Sequence, residues 1–282
     1  MKDIKTRIAT GIIFLIVMIG SVVLSEISFL IVFSLVTMLC INEYHQITAS
    51  VVQSEDRLLY KYKNINTIFA AAIFMIVYLV ASGSVKVISL SLIGGFTLFW
   101  FFIEMFSNSK SPFLNLAINS FGLFYIAIPL SGASLIAFYF GEYNWNLLLA
   151  VMIFAWANDS FAYLFGSLFG KTKLFERISP KKSWEGFIGG ILGTIVFSYI
   201  VYLLFPKWSH QEVAYIHYFI LAIITSVIST FGDLSESLIK RSLKVKDTGN
   251  ILPGHGGFLD RFDGLIFSFP AAALYLTFIS KI

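Results

Sequence analysis

The residues best suited to chemistry lie between Gly232 and Asp263. Asp233, Ser237 and Arg241 recur at i, i+4 and i+8, a spacing that stacks side chains on one helix face. Glu236 and Lys240 are spaced for an i, i+4 ion pair. The helical pattern then gives way to Pro253-Gly254-His255-Gly256-Gly257. Such residues allow unusual backbone angles and close approach to a ligand. Exposed amides in that turn would form an anion-binding nest. Asp260 and Asp263 follow at i, i+3, on one face of a helix start.

Charge arithmetic narrows the chemistry. The stretch carries five bases (Lys240, Arg241, Lys244, Lys246, Arg261) and five acids (Asp233, Glu236, Asp247, Asp260, Asp263). These cancel, so the loop alone has no net attraction for a polyanion. Carboxylates beside a phosphate site make sense if they hold Mg²⁺, a hard cation that keeps phosphate as a co-ligand. Metal together with Lys and Arg points to phosphoryl or nucleotidyl transfer. Ordinary solvated surface would also mix charges, but it does not call for Gly-His-Gly-Gly beside Asp-Arg-x-Asp. For His255 alone the plainer role is a turn residue bonded to its own backbone.

A second block lies upstream. Asn158-Asp159 sits inside an apolar run, followed by Phe169-Gly170-Lys171 and Ser179-Pro180-Lys181-Lys182-Ser183-Trp184-Glu185-Gly186. An acid within a membrane span is expensive and is by default a functional-site candidate. Lys181 and Lys182 follow a proline turn, where they could attract lipid phosphate or a nucleotide triphosphate. Ordinary cytoplasmic-side basic charge is the competing explanation for that pair.

The elements that must position these blocks are membrane helices. Of 282 residues, 57% are hydrophobic before glycine is counted and 13% are charged. An ordinary soluble domain has about 45–50% apolar residues with glycine included, and ~25% charged. Mean hydropathy is +0.83. A soluble fold, a disordered chain and a disulfide scaffold are excluded; a lone cysteine, Cys40, reads as packing. Runs near the ~20 residues a span needs lie at about 8–24, 27–41, 65–81, 87–105, 114–140, 147–169, 187–205, 214–231 and 265–279. Pro129 should kink the fifth. The first run lacks a small-residue cleavage site and is expected to be a retained helix. With the N-terminus cytoplasmic, 17 of the 20 Lys and Arg residues fall on one side, a strong positive-inside signal. The expected fold is all-α: a polytopic integral membrane helical bundle of about nine transmembrane helices, with residues 1–282 forming a single domain. Its working loops are 158–186 and 232–263 on the cytoplasmic face. The polar segment 43–64 is expected to be an interfacial helix or connector.

The pattern Ser237-x2-Lys240-Arg241-x4-Lys246-Asp247-x-Gly249-x3-Pro253-x-His255-Gly256-Gly257-x2-Asp260-Arg261-x-Asp263 resembles the signature of the phosphatidate cytidylyltransferases. The upstream block is similar to a second motif of that family, with Ser183 in place of a threonine. The resemblance implies the reaction CTP + phosphatidate → CDP-diacylglycerol + pyrophosphate. A phosphomonoester with a second pKa of about 6 is already mostly ionised near neutrality, so no strong general base is needed. What remains for the protein is alignment and charge neutralisation.

On this basis Asp233, Asp260 and Asp263 are expected to supply oxygens to one or two Mg²⁺ ions, with Asp159 and Asp247 in support. Lys240, Arg241, Lys246 and Arg261 are expected to neutralise phosphate, with His255 also catalytic. Lys181, Lys182, Ser237, Gly256 and Gly257 are expected to bind substrate. Expected partners are CTP and bilayer phosphatidate, with room for a homodimer and no nucleic acid. Location in a bacterial inner membrane is expected. A transporter would explain Asp159 and Pro129 but not the charged glycine loop. A CTP-dependent lipid kinase would share metal and nucleotide needs and transfer the γ-phosphoryl group instead.

Overall fold

The computed structural model describes residues 2–49, 63–205, 214–254 and 256–279. Among them are nine helices long and apolar enough to cross a membrane. They are α1 (Lys2–Leu24), α2 (Glu26–Thr48), α3 (Lys63–Ala81), α4 (Ser91–Met105), α5 (Pro112–Ala137), α6 (Trp145–Phe169), α7 (Trp184–Leu204), α8 (Tyr215–Ser242) and α9 (Leu259–Ile279). A 3₁₀ turn, Val87–Leu90, leads into α4. The protein is a polytopic helical membrane protein, as its composition requires. Ile16, Phe113, Val196 and Leu274 leave large apolar side chains on the outside, which is stable only where lipid is the solvent.

The chain folds as two compact units, Met1–Tyr143 with Ser242–Phe262, and Asn144–Arg241 with Asp263–Ile282. In the first, Ser25 alone separates α1 from α2. Its hydroxyl accepts from Ser28 N at 3.1 Å while Ser28 Oγ accepts from Ser25 N at 3.0 Å, a reciprocal cap on orphan helix-start amides. Phe29, Phe33 and Phe74 form an aromatic centre with ring centroids 4.7–6.2 Å apart. The Tyr143 hydroxyl donates to Val22 O at 2.6 Å, and burial raises its pKa, so it remains a donor.

In the second unit α6 packs along α7. Glycine is required at Gly189, where a Cβ would collide with the Phe165 side chain.

Three local expectations change. The second span does not end near Ile41: α2 continues to Thr48. The polar Asn42–Thr48 stretch survives as helix because Glu43, Tyr44, His45, Ile47 and Thr48 are buried in protein, so lipid never meets them. Of the segment 43–64 expected as connector, residues 50–62 lie outside those described. The loop after α6 contains a hairpin, β1 (Lys173–Phe175) antiparallel to β2 (Ser179–Ser183). At the fifth span the backbone takes a π-helical turn over Leu123–Ala127, immediately before Pro129. A proline displaces the carbonyl four residues earlier, and a π turn accommodates that displacement.

Candidate active site

In the second unit, the upstream block meets the two ends of the Gly232–Asp263 stretch. The hairpin delivers Lys181 and Lys182 to the start of α7, where Ser183 caps the helix by accepting from Gly186 N at 3.1 Å. Glu185 ties down the preceding loop, its carboxylate accepting from Lys171 N and Thr172 N, each at 3.1 Å. Trp184 N donates to Thr172 O at 2.9 Å. These bonds fix the lysines relative to α6, which carries Asp159 and Tyr163. A cavity of about 410 Å³ results, lined among others by Asp159, Tyr163, Lys181, Lys182, Thr230 and Asp233.

Lys182 from the first block is ion-paired with Asp233 from the second. Ser237 Oγ donates to Asp233 Oδ1 at 3.3 Å, as expected for one helix face. One turn on, Lys240 Nζ donates to Glu236 Oε2 at 3.2 Å, both side chains being almost fully buried. Asp263 is half-buried, in hydrogen-bond reach of Glu236 and in the field of Asp233 and Asp159. Its Oδ1 also accepts from Gly264 N at 2.6 Å. Asp159 is exposed to the cavity rather than to apolar packing, which removes the cost of an acid inside a span. Behind it, buried Asn158 donates to Thr230 Oγ1 at 3.2 Å.

The glycine-rich turn belongs to the first unit. Thr248 N, Thr248 Oγ1 and Gly257 N converge on Asp260 Oδ2 at 2.9, 3.0 and 2.8 Å. Leu252 N donates to Gly256 O at 3.1 Å, and Gly256 has φ +80°, a left-handed conformation suited to glycine. Glu43, fully buried in α2, accepts from Thr248 Oγ1 at 3.1 Å and from Phe258 N and Leu259 N at 2.9 Å each. Arg241, in the second unit, and Lys246, Asp247 and Arg261, in the first, are exposed. Lys246 and Asp247 border an open depression of about 640 Å³ with Gln46 and Asn250. His255 lies outside the described residues.

The sequence-derived set therefore divides. Asp159, Lys181, Lys182, Asp233, Ser237, Lys240 and Asp263 are grouped in one unit. Asp260, expected to share a metal with Asp263 from their i, i+3 spacing, has Oδ2 occupied by three donors from the turn. Gly257 N, expected to face phosphate, is one of those donors. Two acids were not singled out as site residues: Glu236, visible in sequence only as a partner for Lys240, and Glu43, hidden in a stretch that reads as connector. The spacing of Cys40, Tyr44 and Ile47, continued by Thr48, is the signal that α2 runs on.

Among the described residues, no three His, Cys, Asp or Glu side chains are grouped so as to hold a metal ion as they stand. The donor chemistry nonetheless suits a hard divalent ion. Asp159, Asp233, Glu236 and Asp263 bring carboxylate oxygens into one neighbourhood, where a cation relieves repulsion between like charges.

Comparison with known proteins settles the lineage. The model of the cytidylyltransferase family matches residues 5–279. The chain belongs to the cytidylyltransferase family. Over 281 residues it is 34% identical to the phosphatidate cytidylyltransferase of Thermotoga maritima, covering 99% of this chain and 97% of that one. It is 40% identical over 139 residues to the Bacillus subtilis phosphatidate cytidylyltransferase, spanning 49% of this chain and 50% of the relative. The Haemophilus influenzae phosphatidate cytidylyltransferase is 42% identical over 137 residues, 47% of this chain and 46% of its own.

Proposed function

We propose that the chain is a phosphatidate cytidylyltransferase, converting CTP and phosphatidate to CDP-diacylglycerol and pyrophosphate at the cytoplasmic face of a bacterial plasma membrane. The observation that carries this is the Lys182–Asp233 pair, which joins the two sequence blocks on the wall of one cavity. The full-length likeness to the Thermotoga enzyme supports the substrate pair. The collection of 17 of 20 basic residues on one side of the nine spans supports the cytoplasmic placement.

An oxygen of the phosphatidate phosphate forms a bond to the α-phosphorus of CTP. The bond from that phosphorus to the bridging oxygen of the β-phosphate breaks, and pyrophosphate leaves with the electron pair. Lys181 and Lys182 bind phosphate oxygens and hold the nucleophile in line. Lys182 reaches them by exchanging its bond with Asp233 for one with substrate. Ser237 holds Asp233 in orientation, and Glu236 does the same for Lys240. Arg241, Lys246 and Arg261 attract the incoming triphosphate. Asp233, Asp263 and Asp159 would hold Mg²⁺, which when bound supplies charge neutralisation to the phosphates. Asp260 is assigned to the glycine turn instead.

The test is incubation of purified protein in detergent with phosphatidate, CTP labelled at the α-phosphate, and Mg²⁺. Label in a lipid product with stoichiometric pyrophosphate is expected. Label confined to CDP, with the γ-phosphate on lipid, would replace this reading with a kinase.

A further inference from the structure

We infer that Glu43 is a positioning residue for the transfer reaction, acting from α2 through the glycine-rich turn that bears Lys246, Asp247 and Arg261. The inference rests on the cytidylyltransferase reading above and assigns a role to a residue about 200 positions away from the signature.

The geometry is specific. Glu43 has no exposed surface, and a buried carboxylate persists only when its oxygens are hydrogen-bonded. Its partners among the described residues are two backbone N–H groups and a hydroxyl. Phe258 and Leu259 stand where α9 begins, so their amides lack carbonyl partners within that helix. Helix starts normally satisfy such amides with a nearby Ser, Thr, Asp or Asn. Here a side chain from another helix does so, 215 and 216 residues earlier in the chain. Negative charge at a helix N-terminus also meets the favourable end of its dipole.

Two glycines of the signature make room for this carboxylate. A Cβ at Gly249 would lie 2.6 Å from Glu43 Oε1, and one at Gly257 would collide with Glu43 Oε2. Their smallness therefore serves a protein side chain. The far end of Glu43 is rigidly mounted. Tyr44 OH donates to Ile118 O at 3.2 Å, and His45 Nε2 lies 2.8 Å from Asn66 Nδ2. Asn66 also accepts from Trp100 Nε1 at 3.2 Å. The last turn of α2 is thus bolted to α3, α4 and α5, and Glu43 transmits that fixed position to the turn.

The test uses the full chain in detergent. Glu43→Gln keeps the volume but presents an amide N–H₂ toward amides that also donate. The expected result is a fall in kcat of about 10²-fold, the scale of a misplacement of about 1 Å. KM for phosphatidate should stay within about threefold, because the cavity in the second unit is untouched, whereas KM for CTP should rise with the displacement of Lys246 and Arg261. Rates are taken per folded molecule, counted by monodisperse elution. Thr248→Ala should reproduce part of the loss, and Thr248→Ser should restore it. An unchanged kcat per folded molecule in Glu43→Gln would overturn the inference. If that variant does not fold, equal kcat in Thr248→Ala and Thr248→Ser would overturn it instead. Wild-type protein that makes no CDP-diacylglycerol would sink the functional reading, whereas an active wild type with an indifferent Glu43→Gln sinks the positioning role alone.

Discussion

Acids in the glycine turn and the acids around Asp233 are treated differently. In the turn, Glu43 and Asp260 are met by backbone N–H groups and one hydroxyl. Such donors are fixed, neutral and supplied by the fold itself. In the second unit, Asp233 is met by the Lys182 ammonium and the Ser237 hydroxyl, and Asp263 by Gly264 N and neighbouring carboxylates. The ammonium and the crowded carboxylates are the partners open to exchange when a phosphate or a cation arrives. The signature Asp-Arg-x-Asp thus supplies one acid to each regime: Asp260 is held within the turn, and Asp263 lies among Asp159, Asp233 and Glu236. Spacing marks a carboxylate as a candidate; its donors decide which kind of work it does.

The contrast can be broken experimentally, most severely at Asp263. Asp263→Asn should lower turnover at saturating Mg²⁺ by about 10³-fold, equivalent to several kcal/mol of lost charge stabilisation. The same variant should keep its thermal midpoint. Activity within tenfold of wild type would remove Asp263 from the metal-holding set. Asp260→Asn should behave differently. Weakening hydrogen bonds to a charged acceptor costs about 1.5–3 kcal/mol, so the midpoint of thermal unfolding falls while the Mg²⁺ concentration for half-maximal rate stays put. A tenfold shift in that concentration would return Asp260 to the metal. The smallest effect is expected from Lys182→Gln. Losing one exchangeable cation should raise KM for phosphatidate about tenfold, some 1.4 kcal/mol, with kcat less affected. A pure kcat loss would show that Lys182 acts on the transition state rather than on binding.

Much of this was legible from sequence because bilayer physics is simple. Apolar runs near 20 residues became nine helices, and the helical face of Asp233 and Ser237 appeared as an actual hydrogen bond. The pairing of Lys240 with Glu236 followed from spacing alone. What spacing could not supply was the identity of long-range partners. Nothing local tells that Glu43 meets Leu259, or that Asp260 accepts from Gly257 N. Hydropathy also misplaced the end of α2, since polar residues buried in protein look the same in a window as polar residues facing water. The hairpin was missed because Ser179-Pro180-Lys181-Lys182 has neither apolar alternation nor β-branched residues; its register comes from bonds to Thr172 and Glu185.

The Thr248 hydroxyl carries a consequence of its own. Its oxygen lies within 3.1 Å of Glu43 Oε2 and within 3.0 Å of Asp260 Oδ2, yet it has a single proton to give. At any instant one of the two acids receives it and the other does not. Valine, the isostere of threonine, would fill the same space and leave both oxygens with a methyl group between them. Shape at this position is therefore the lesser constraint. The turn is a three-body arrangement in which one hydroxyl proton serves two acids, so the hydrogen bond rather than the fit sets the requirement there.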